Sequence, residues 1–207
     1  MGIIIEHEKR RREILEKAMD VFIEDGFGDA TIQKIAGRCG ISRPILYTYF
    51  RNKREIFSYS IKQLLSEVEQ AILRETKAQK AAGKTGAPEN LLSVLALIFD
   101  TLEKNRPVLG VLLDYLLYIA KHPGPLPCRT PEYLIRKRTI KMRHILSEII
   151  IDGIKAGEIK NISVSEINNL IYAILESAIL NVTVVGKNSL TDAQKAAELT
   201  VRFLSTH

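Results

Sequence analysis

Six cationic side chains fall within a stretch of the chain that contains no carboxylate. The stretch runs from Ala30 to Arg54, and its cations are Lys34, Arg38, Arg43, Arg51, Lys53 and Arg54. The segment before it is rich in Asp and Glu, so the sign of the charge changes abruptly. A localised run of one charge inside a chain of mixed charge is typical of a surface that binds a polyanion. These side chains would supply contacts to phosphate and, where an Arg reaches a base edge, to sequence.

Two short helices separated by a glycine are predicted to carry these cations. Thr31 is suited to cap the first helix and Gly40 to end it, while Ser42 is suited to cap the second. Asn52 would cap a third helix, with Glu55 three residues later completing a capping box. Helix, glycine-containing turn and helix is the helix-turn-helix pattern, in which the second helix enters the major groove of DNA.

The order of residues in this region resembles the tetracycline-repressor (TetR) family of transcription regulators. The resemblance covers about the first quarter of the chain without a gap, and its positions are Ile14-Leu15, Ala18, Phe22, Gly26-Phe27, Ala30-Thr31, Ile35-Ala36, Gly40-Ile41-Ser42, Leu46-Tyr47, Tyr49-Phe50, Asn52-Lys53 and Ile56-Phe57. One departure is Pro44, where many members have Gly or a small residue. We interpret this proline as a variant that stiffens the start of the recognition helix.

The resemblance implies DNA-binding roles for side chains of the two short helices. It assigns phosphate contacts to Thr31, Tyr47, Tyr49 and Lys53. It assigns contacts with base edges to Gln33, Arg43, Pro44, Ile45 and Thr48. We add Lys34 to the DNA-binding set as a further cation of the stretch. The chemistry agrees, because hydroxyl and ammonium groups suit phosphate, whereas Arg and Gln carry forked donors that read guanine or adenine.

The sequence offers no arrangement with catalytic or metal-binding spacing. Cys39 and Cys128 lie in unrelated contexts, and the four histidines are far apart in the chain. We find no Ser/His/Asp or Cys/His set, no glycine-rich phosphate loop and no pair of carboxylates with the spacing of a catalytic site. We therefore expect no enzyme activity, no metal and no cofactor.

Length and composition suit a small domain followed by a larger one. The chain has 207 residues, 46% of them hydrophobic, and a net charge of +6. Because no sustained period-2 alternation marks a strand, we predict an all-α protein. A three-helix helix-turn-helix domain would span residues 1–57, and a helical ligand-binding and dimerisation domain would span residues 58–207. With no signal peptide and no uninterrupted apolar run of membrane-spanning length, we expect a cytoplasmic protein with no membrane partner.

The last two predicted helices are rich in apolar and small residues. One begins at Ser163 or Ser165 and ends at Gly186, and the other begins at Thr191. A helix that is apolar over most of its circumference needs partners on several sides. Other helices of the monomer could supply them, but a two-fold dimer would also give the half-site spacing that a helix-turn-helix reads. The resemblance likewise implies a four-helix bundle between subunits. We expect this interface to contain Ile171, Leu175, Ala178, Ile179, Val182, Ala196, Leu199 and Phe203.

The helices between Leu91 and Ile150 carry more apolar residues than two thin layers need. Regulators that the chain resembles usually bind a small molecule in this region, so we expect a largely apolar cavity lined by Phe99, Leu102, Leu112, Tyr115, Leu116 and Met142. Asp114 would face either a ligand or the solvent. A group of basic residues follows on one helix: Arg136, Lys137, Arg138, Lys141 and Arg143. One or two of them would face the cavity and bind an anionic ligand, or the whole group would form a solvated face.

These features together predict a sequence-specific, DNA-binding transcriptional regulator. The specific hypothesis is a homodimeric repressor that a small-molecule inducer of unknown identity releases from a palindromic operator in double-stranded DNA. One alternative is a constitutive DNA binder without a ligand. Another is a helical dimeric interaction protein that has lost DNA binding, although such a protein should also have lost the acid-free basic stretch.

Overall fold

The computed structural model describes residues 2–82, 86–122, 131–184 and 189–206. Within those ranges the chain forms helices and no β-strand, which confirms the all-α prediction. The helices are α1 (Gly2–Asp29), α2 (Ile32–Cys39), α3 (Arg43–Tyr49), α4 (Lys53–Ala82), α5 (Ala87–Lys104), α6 (Arg106–Lys121), α7 (Pro131–Ala156), α8 (Val164–Val184) and α9 (Ser189–Leu204).

The helices group into two compact units. The first consists of Met1–Ser66 and Pro107–Arg136, and the second of Glu67–Arg106 and Lys137–His207. The first unit is therefore larger than the domain predicted over residues 1–57, since it also takes in most of α6. The physical reason is burial: Val108, Val111 and Tyr115 of α6 belong to the same core as α1, α2 and α3.

The core of the first unit forms where the three-to-four residue spacing of the sequence predicts it. The apolar side chains concerned are each at most 1% exposed, namely Ile14, Ala18, Phe22, Ile35, Leu46 and Phe50. Burying an Ile, Leu or Phe side chain fully contributes about 1.5–3 kcal/mol to folding. The short helices α2 and α3 are therefore stabilised mainly by this packing, because isolated helices of their length are marginal in water.

The second unit contains α8 and α9, which pack against each other and against α5. Glu166 and Glu176 interrupt the apolar run of α8. Among the described helices, α8 is nevertheless long and apolar enough to cross a membrane by length and composition alone. Its apolar character has a structural explanation within the protein, because one face is buried; the buried residues are Ile167, Asn168, Ile171, Tyr172, Leu175, Ala178 and Val182.

Candidate nucleic-acid interface

The first short helix, α2, begins and ends as its sequence predicts. The Thr31 hydroxyl accepts a hydrogen bond from the backbone N–H of Lys34, at 3.2 Å. Gly40 ends the helix with φ of 66°, a left-handed conformation that suits glycine. The backbone N–H of Ile41 then donates to the carbonyl of Ala36, at 3.0 Å, and closes the turn. These local bonds fix the position from which α3 starts.

The recognition helix α3 is short and is followed directly by a capped helix. Pro44 lies in its first turn, where the absent N–H would have no helical partner. The Asn52 side chain caps α4 by accepting from the backbone N–H of Glu55, at 2.8 Å. The Glu55 carboxylate accepts from the backbone N–H of Arg51, at 2.5 Å. The capping box therefore forms, with its return bond one residue earlier than predicted.

Most of the predicted DNA-binding side chains are exposed. The exposed ones are Thr31, Gln33, Lys34, Arg43, Pro44, Ile45, Tyr47 and Thr48, whereas Tyr49 and Lys53 are half-buried. Ile45 is 47% exposed and Tyr47 is 46% exposed, although both side chains are large and mainly apolar. The Thr48 hydroxyl donates to the carbonyl of Ile45, at 2.7 Å. Since Leu46 and Phe50 anchor α3 to the core, its remaining surface is open to a partner.

Carboxylates of α1 bind two cations of the basic stretch. The Lys34 ammonium lies 3.0 Å from the carboxylate of Asp25. The Arg38 guanidinium donates to both carboxylate oxygens of Glu24. This hydrogen bonding lowers the pKa of the Glu24 carboxyl and raises the pKa of Arg38. The stretch therefore presents less free positive charge than its sequence indicates.

Lys53 is directed at the end of α1. Its ammonium donates to the backbone carbonyls of Phe27, at 2.6 Å, and Gly28, at 2.8 Å. It also lies 4.7 Å from the centre of the Phe27 ring. Burial lowers the pKa of Lys53, while the charges of Asp29 and Asp114 act in the opposite direction. The predicted phosphate contact would therefore require this ammonium to leave or share its carbonyl partners.

Arg54 is also engaged, because its Nε donates to the Tyr115 hydroxyl at 2.9 Å. In the part of the chain that the structure describes, Arg43 and Arg51 are the two cations of the stretch whose side chains have no hydrogen bond or ion pair. The sequence could not reveal this difference, because the partners of the other cations come from α1 and α6. Arg43 lies at the start of the recognition helix, where base contacts are made in helix-turn-helix proteins.

The last residues of α1 change direction at Gly26 and are held there by α6. Gly26 has φ of 76° and ψ of 166°, a conformation that is essentially restricted to glycine. The next backbone N–H, that of Phe27, donates to Oδ2 of Asp114 at 2.7 Å. Asp114 is exposed, in agreement with the solvent-facing interpretation. It also has a structural contact that the sequence did not indicate.

Tyr115 belongs to the core of the first unit. Its side chain is 0% exposed, and its ring lies 4.7 Å from Phe27 and 4.9 Å from Phe57, measured between ring centres. Its ring and hydroxyl thus make packing contacts with the helix-turn-helix domain, and its lining of a ligand cavity stays a prediction. Two residues that the sequence placed in separate domains, Tyr115 and Arg54, are hydrogen-bonding partners.

The other predicted ligand-lining residues are divided between the two units. Leu112 and Leu116 belong to the first, where Leu112 is half-buried and Leu116 is 36% exposed. Phe99, Leu102 and Met142 belong to the second, where Phe99 is buried and the other two are half-buried.

Most of the basic side chains on α7 are exposed, as expected for a solvated face. Arg136 and Lys137 are exposed, and the side chain of Arg138 lies outside the described residues. The Lys141 ammonium lies 2.9 Å from Oε1 of Glu69. The Arg143 guanidinium lies 3.9 Å from the centre of the Tyr172 ring, and burial raises the pKa of Tyr172 to about 12.

The predicted dimer residues fall into two groups. Ile171, Leu175, Ala178 and Val182 are at most 6% exposed within the single chain, so they form its core and offer no surface to a partner. Ile179, Ala196, Leu199 and Phe203 are exposed. The predicted interface did not include Leu170 and Leu180, two further exposed residues of α8. Their positions on the side of the helix away from the buried residues could have identified them. Leu170, Leu199 and Phe203 line one open groove between α8 and α9.

The potential metal ligands and Cys39 can be located in the described part of the chain. Within the described ranges, no group of three or more His, Cys, Asp or Glu side chains could hold a metal ion. Cys39 is buried, and this burial raises the pKa of its thiol, which disfavours the reactive thiolate. Cys128 lies outside the described residues.

Comparisons with known proteins agree with the helix-turn-helix geometry. Residues 14–59 match the family model described as bacterial regulatory proteins, tetR family. The HTH-type transcriptional regulator BetI of Escherichia coli (strain K12) is 23% identical over 198 residues, which cover 96% of this chain and 93% of BetI.

Two solved structures share the fold at low sequence identity. A TetR transcription regulator from Haloarcula marismortui superposes with a TM-score of 0.79 at 20% identity, covering 96% of this chain and all of that one. A transcriptional regulator from Saccharomonospora viridis, solved in complex with choline, has a TM-score of 0.74 at 18% identity, with 94% and 96% of the two chains covered.

Proposed function

We propose that this chain, which belongs to the tetR family of bacterial regulatory proteins, is a homodimeric repressor that a small molecule releases from a palindromic operator. Its general activity is DNA-binding regulation of transcription, and it is not an enzyme. Repression, dimerisation, the operator and the effector are the parts of the proposal that require tests. We assign the protein to the cytoplasm, where its DNA is found.

The observation that carries the proposal is the open surface of α3. Arg43 extends from its first turn without a partner in the described residues, and Ile45 and Tyr47 are exposed beside it. An Arg can bind O6 and N7 of guanine with two hydrogen bonds, and an apolar side chain such as Ile45 can contact the methyl group of thymine. The hydroxyls of Thr31 and Tyr47 suit phosphate oxygens. The surface thus offers both base-reading and phosphate-binding groups.

Replacing Arg43 tests this assignment. Arg43→Ala should cost about 1–3 kcal/mol of affinity for a duplex selected from a random pool and should relax the preference at one base position. Binding to random DNA should fall much less. Fluorescence anisotropy with both duplexes measures the difference, and Lys155→Ala, which removes an exposed cation of α7, is the control for lost charge. Equal losses on selected and random DNA would show that Arg43 contacts phosphate only.

Support for a dimer comes from the apolar surface of α8 and α9. Leu170, Leu180, Leu199 and Phe203 are each at least 50% exposed in the single chain. Leu170, Leu199 and Phe203 line one open groove, and a contiguous exposed apolar patch of this kind marks an interaction site. A two-fold dimer would present two copies of α3 to half-sites about 34–36 Å apart along the DNA.

Support for an effector comes from the family and from the structural relative that contains choline. An inducer must prefer the conformation that binds DNA less tightly, and a tenfold loss of operator affinity requires about 1.4 kcal/mol of coupling. Choline is the first probe, followed by a set of metabolites, each added to the complex with the selected duplex. If no compound changes operator binding, the alternative of a constitutive DNA-binding dimer replaces the sensor.

A further inference from the structure

Residues 6–12 of α1 precede the segment that matches the family model, which begins at residue 14. They form a dense run of charged side chains, Glu6-His7-Glu8-Lys9-Arg10-Arg11-Arg12. On a helix, positions three and four apart share a face, so His7, Arg10 and Arg11 lie on the same face as the buried Ile14. This face is directed at α2 and α3. Because the family match begins only at residue 14, it assigns no role to residues 6–12.

His7 lies against the recognition helix. Its ring stacks on that of Tyr49, with ring centres 4.6 Å apart and planes inclined by 21°. Arg10 donates to the carbonyl of Cys39 at 3.2 Å. The Arg11 guanidinium lies 4.1 Å from the ring centre of Tyr59. The two arginines are therefore held by the protein, whereas His7 is exposed beside a residue assigned to phosphate binding.

We propose that His7 is a further DNA-binding residue, which contacts the phosphate backbone next to the phosphate that Tyr49 binds. This inference rests on the proposed function, because it requires α3 to lie in the major groove. An imidazole ring carries N–H donors and, when protonated, a positive charge, and both favour a phosphate. Stacking on Tyr49 holds the His7 ring in place before DNA binds. Less side-chain conformational entropy is therefore lost on binding.

Several charged groups surround His7, and Arg10 among them is ion-paired with Glu13 at 2.8 Å. Arg10 and Arg11 follow it one turn along the same face of α1, and Tyr49 faces it from α3. Glu6 and Glu8 flank it in sequence and point to either side. Lys9 provides a matched control. Two residues turn the helix by about 200°, so Lys9 lies on the opposite face, away from α3.

The test compares His7→Phe with Lys9→Ala. The Phe variant keeps an aromatic ring to stack on Tyr49 but loses the N–H groups and the charge. Binding to a selected duplex and to a random duplex is measured as a function of salt concentration at one fixed, mildly acidic pH. We expect several-fold weaker binding of His7→Phe to both duplexes. Its plot of log affinity against log salt should be shallower by about 0.9, the value for one lost phosphate contact.

The controls separate this inference from the proposed function. Lys9→Ala should leave the salt dependence close to that of the wild type. If His7→Phe has the wild-type salt dependence, or if Lys9→Ala reduces it equally, the His7 contact is disproved while DNA binding stands. If the wild-type protein selects no DNA at all, the proposed function itself fails. Thermal unfolding of both variants confirms that they are folded.

Discussion

Asp114 of α6 accepts a hydrogen bond from the backbone N–H of Phe27, 2.7 Å away. The bond joins residues 87 positions apart and fixes the end of α1, where Gly26 breaks the helix. On the other side of the same segment, Lys53 binds the carbonyls of Phe27 and Gly28. A carboxylate from α6 and an ammonium from α4 thus hold one short piece of backbone beside α2.

Removing the carboxylate of Asp114 should destabilise the protein modestly. Asp114→Ala leaves the N–H of Phe27 without this acceptor, and we expect a loss of about 1 kcal/mol, the usual net value of a hydrogen bond. Asp114→Asn retains an acceptor oxygen and should lose less. Urea unfolding gives both values, provided that the slope of the transition is unchanged. An Asn variant as unstable as the Ala variant would argue that charge, rather than the hydrogen bond, matters here.

Two glycines at the end of α1 should respond oppositely to alanine. Gly26→Ala forces an L residue into a glycine-only conformation and brings a Cβ to 3.1 Å from Oδ2 of Asp114, so it should cost about 1–3 kcal/mol. Gly28 has open space where a Cβ would lie, and its helical backbone suits alanine. Gly28→Ala should therefore stabilise the protein by about 0.4–1 kcal/mol. Thermal unfolding compares the pair, and stabilisation by Gly26→Ala would contradict the role of this kink.

The ion pair between Lys34 and Asp25 should limit binding to random DNA. Asp25→Asn frees an ammonium that lies 3.0 Å from this carboxylate, so affinity for random duplexes should rise and its salt dependence should steepen by up to about 0.9. Glu16→Gln removes the same charge from an exposed position of α1 and is the control. Equal effects of both variants would attribute the change to net charge and leave Lys34 without a special role.

A charge on the exposed face of α9 should prevent dimerisation without unfolding the chain. Leu199 is 68% exposed in the single chain, so Leu199→Glu leaves the core intact but would bury a carboxylate in the proposed interface, at a cost of several kcal/mol. Ile140→Glu is the matched control, since Ile140 of α7 is 60% exposed and lies outside the proposed interface. Sedimentation should give a monomer for Leu199→Glu and a dimer for Ile140→Glu. A dimeric Leu199→Glu variant would move the interface elsewhere.

The fold was predictable from sequence where local chemistry determines it. Thr31, Gly40 and Asn52 cap or end helices through bonds to residues a few positions away, and the structure contains those bonds. The burial of Ile14 and Phe22 follows from their spacing on one helical face. Such features depend on the identity of neighbouring residues alone, so one sequence is enough to identify them.

The candidate site was less predictable because distant residues determine it. Lys34 and Lys53 are equivalent as cations in the sequence, yet one binds a carboxylate of α1 and the other binds backbone carbonyls. On α8, Ala178 and Ile179 are adjacent and both apolar, but the first is 0% exposed and the second 39%. Which side of a helix meets the core and which remains for a partner depends on tertiary packing, which periodicity alone leaves undetermined.

Selection of DNA from a random duplex pool by the wild-type protein, with the stoichiometry of the selected complex measured by sedimentation, tests the central claim most directly. We predict enrichment of an inverted repeat whose half-sites are about one helical turn apart, bound by two chains. Arg43→Ala should select the same repeat with one position of each half-site relaxed. A pool that stays random, or a single unrepeated site bound by one chain, would contradict the account of a dimeric, sequence-specific regulator.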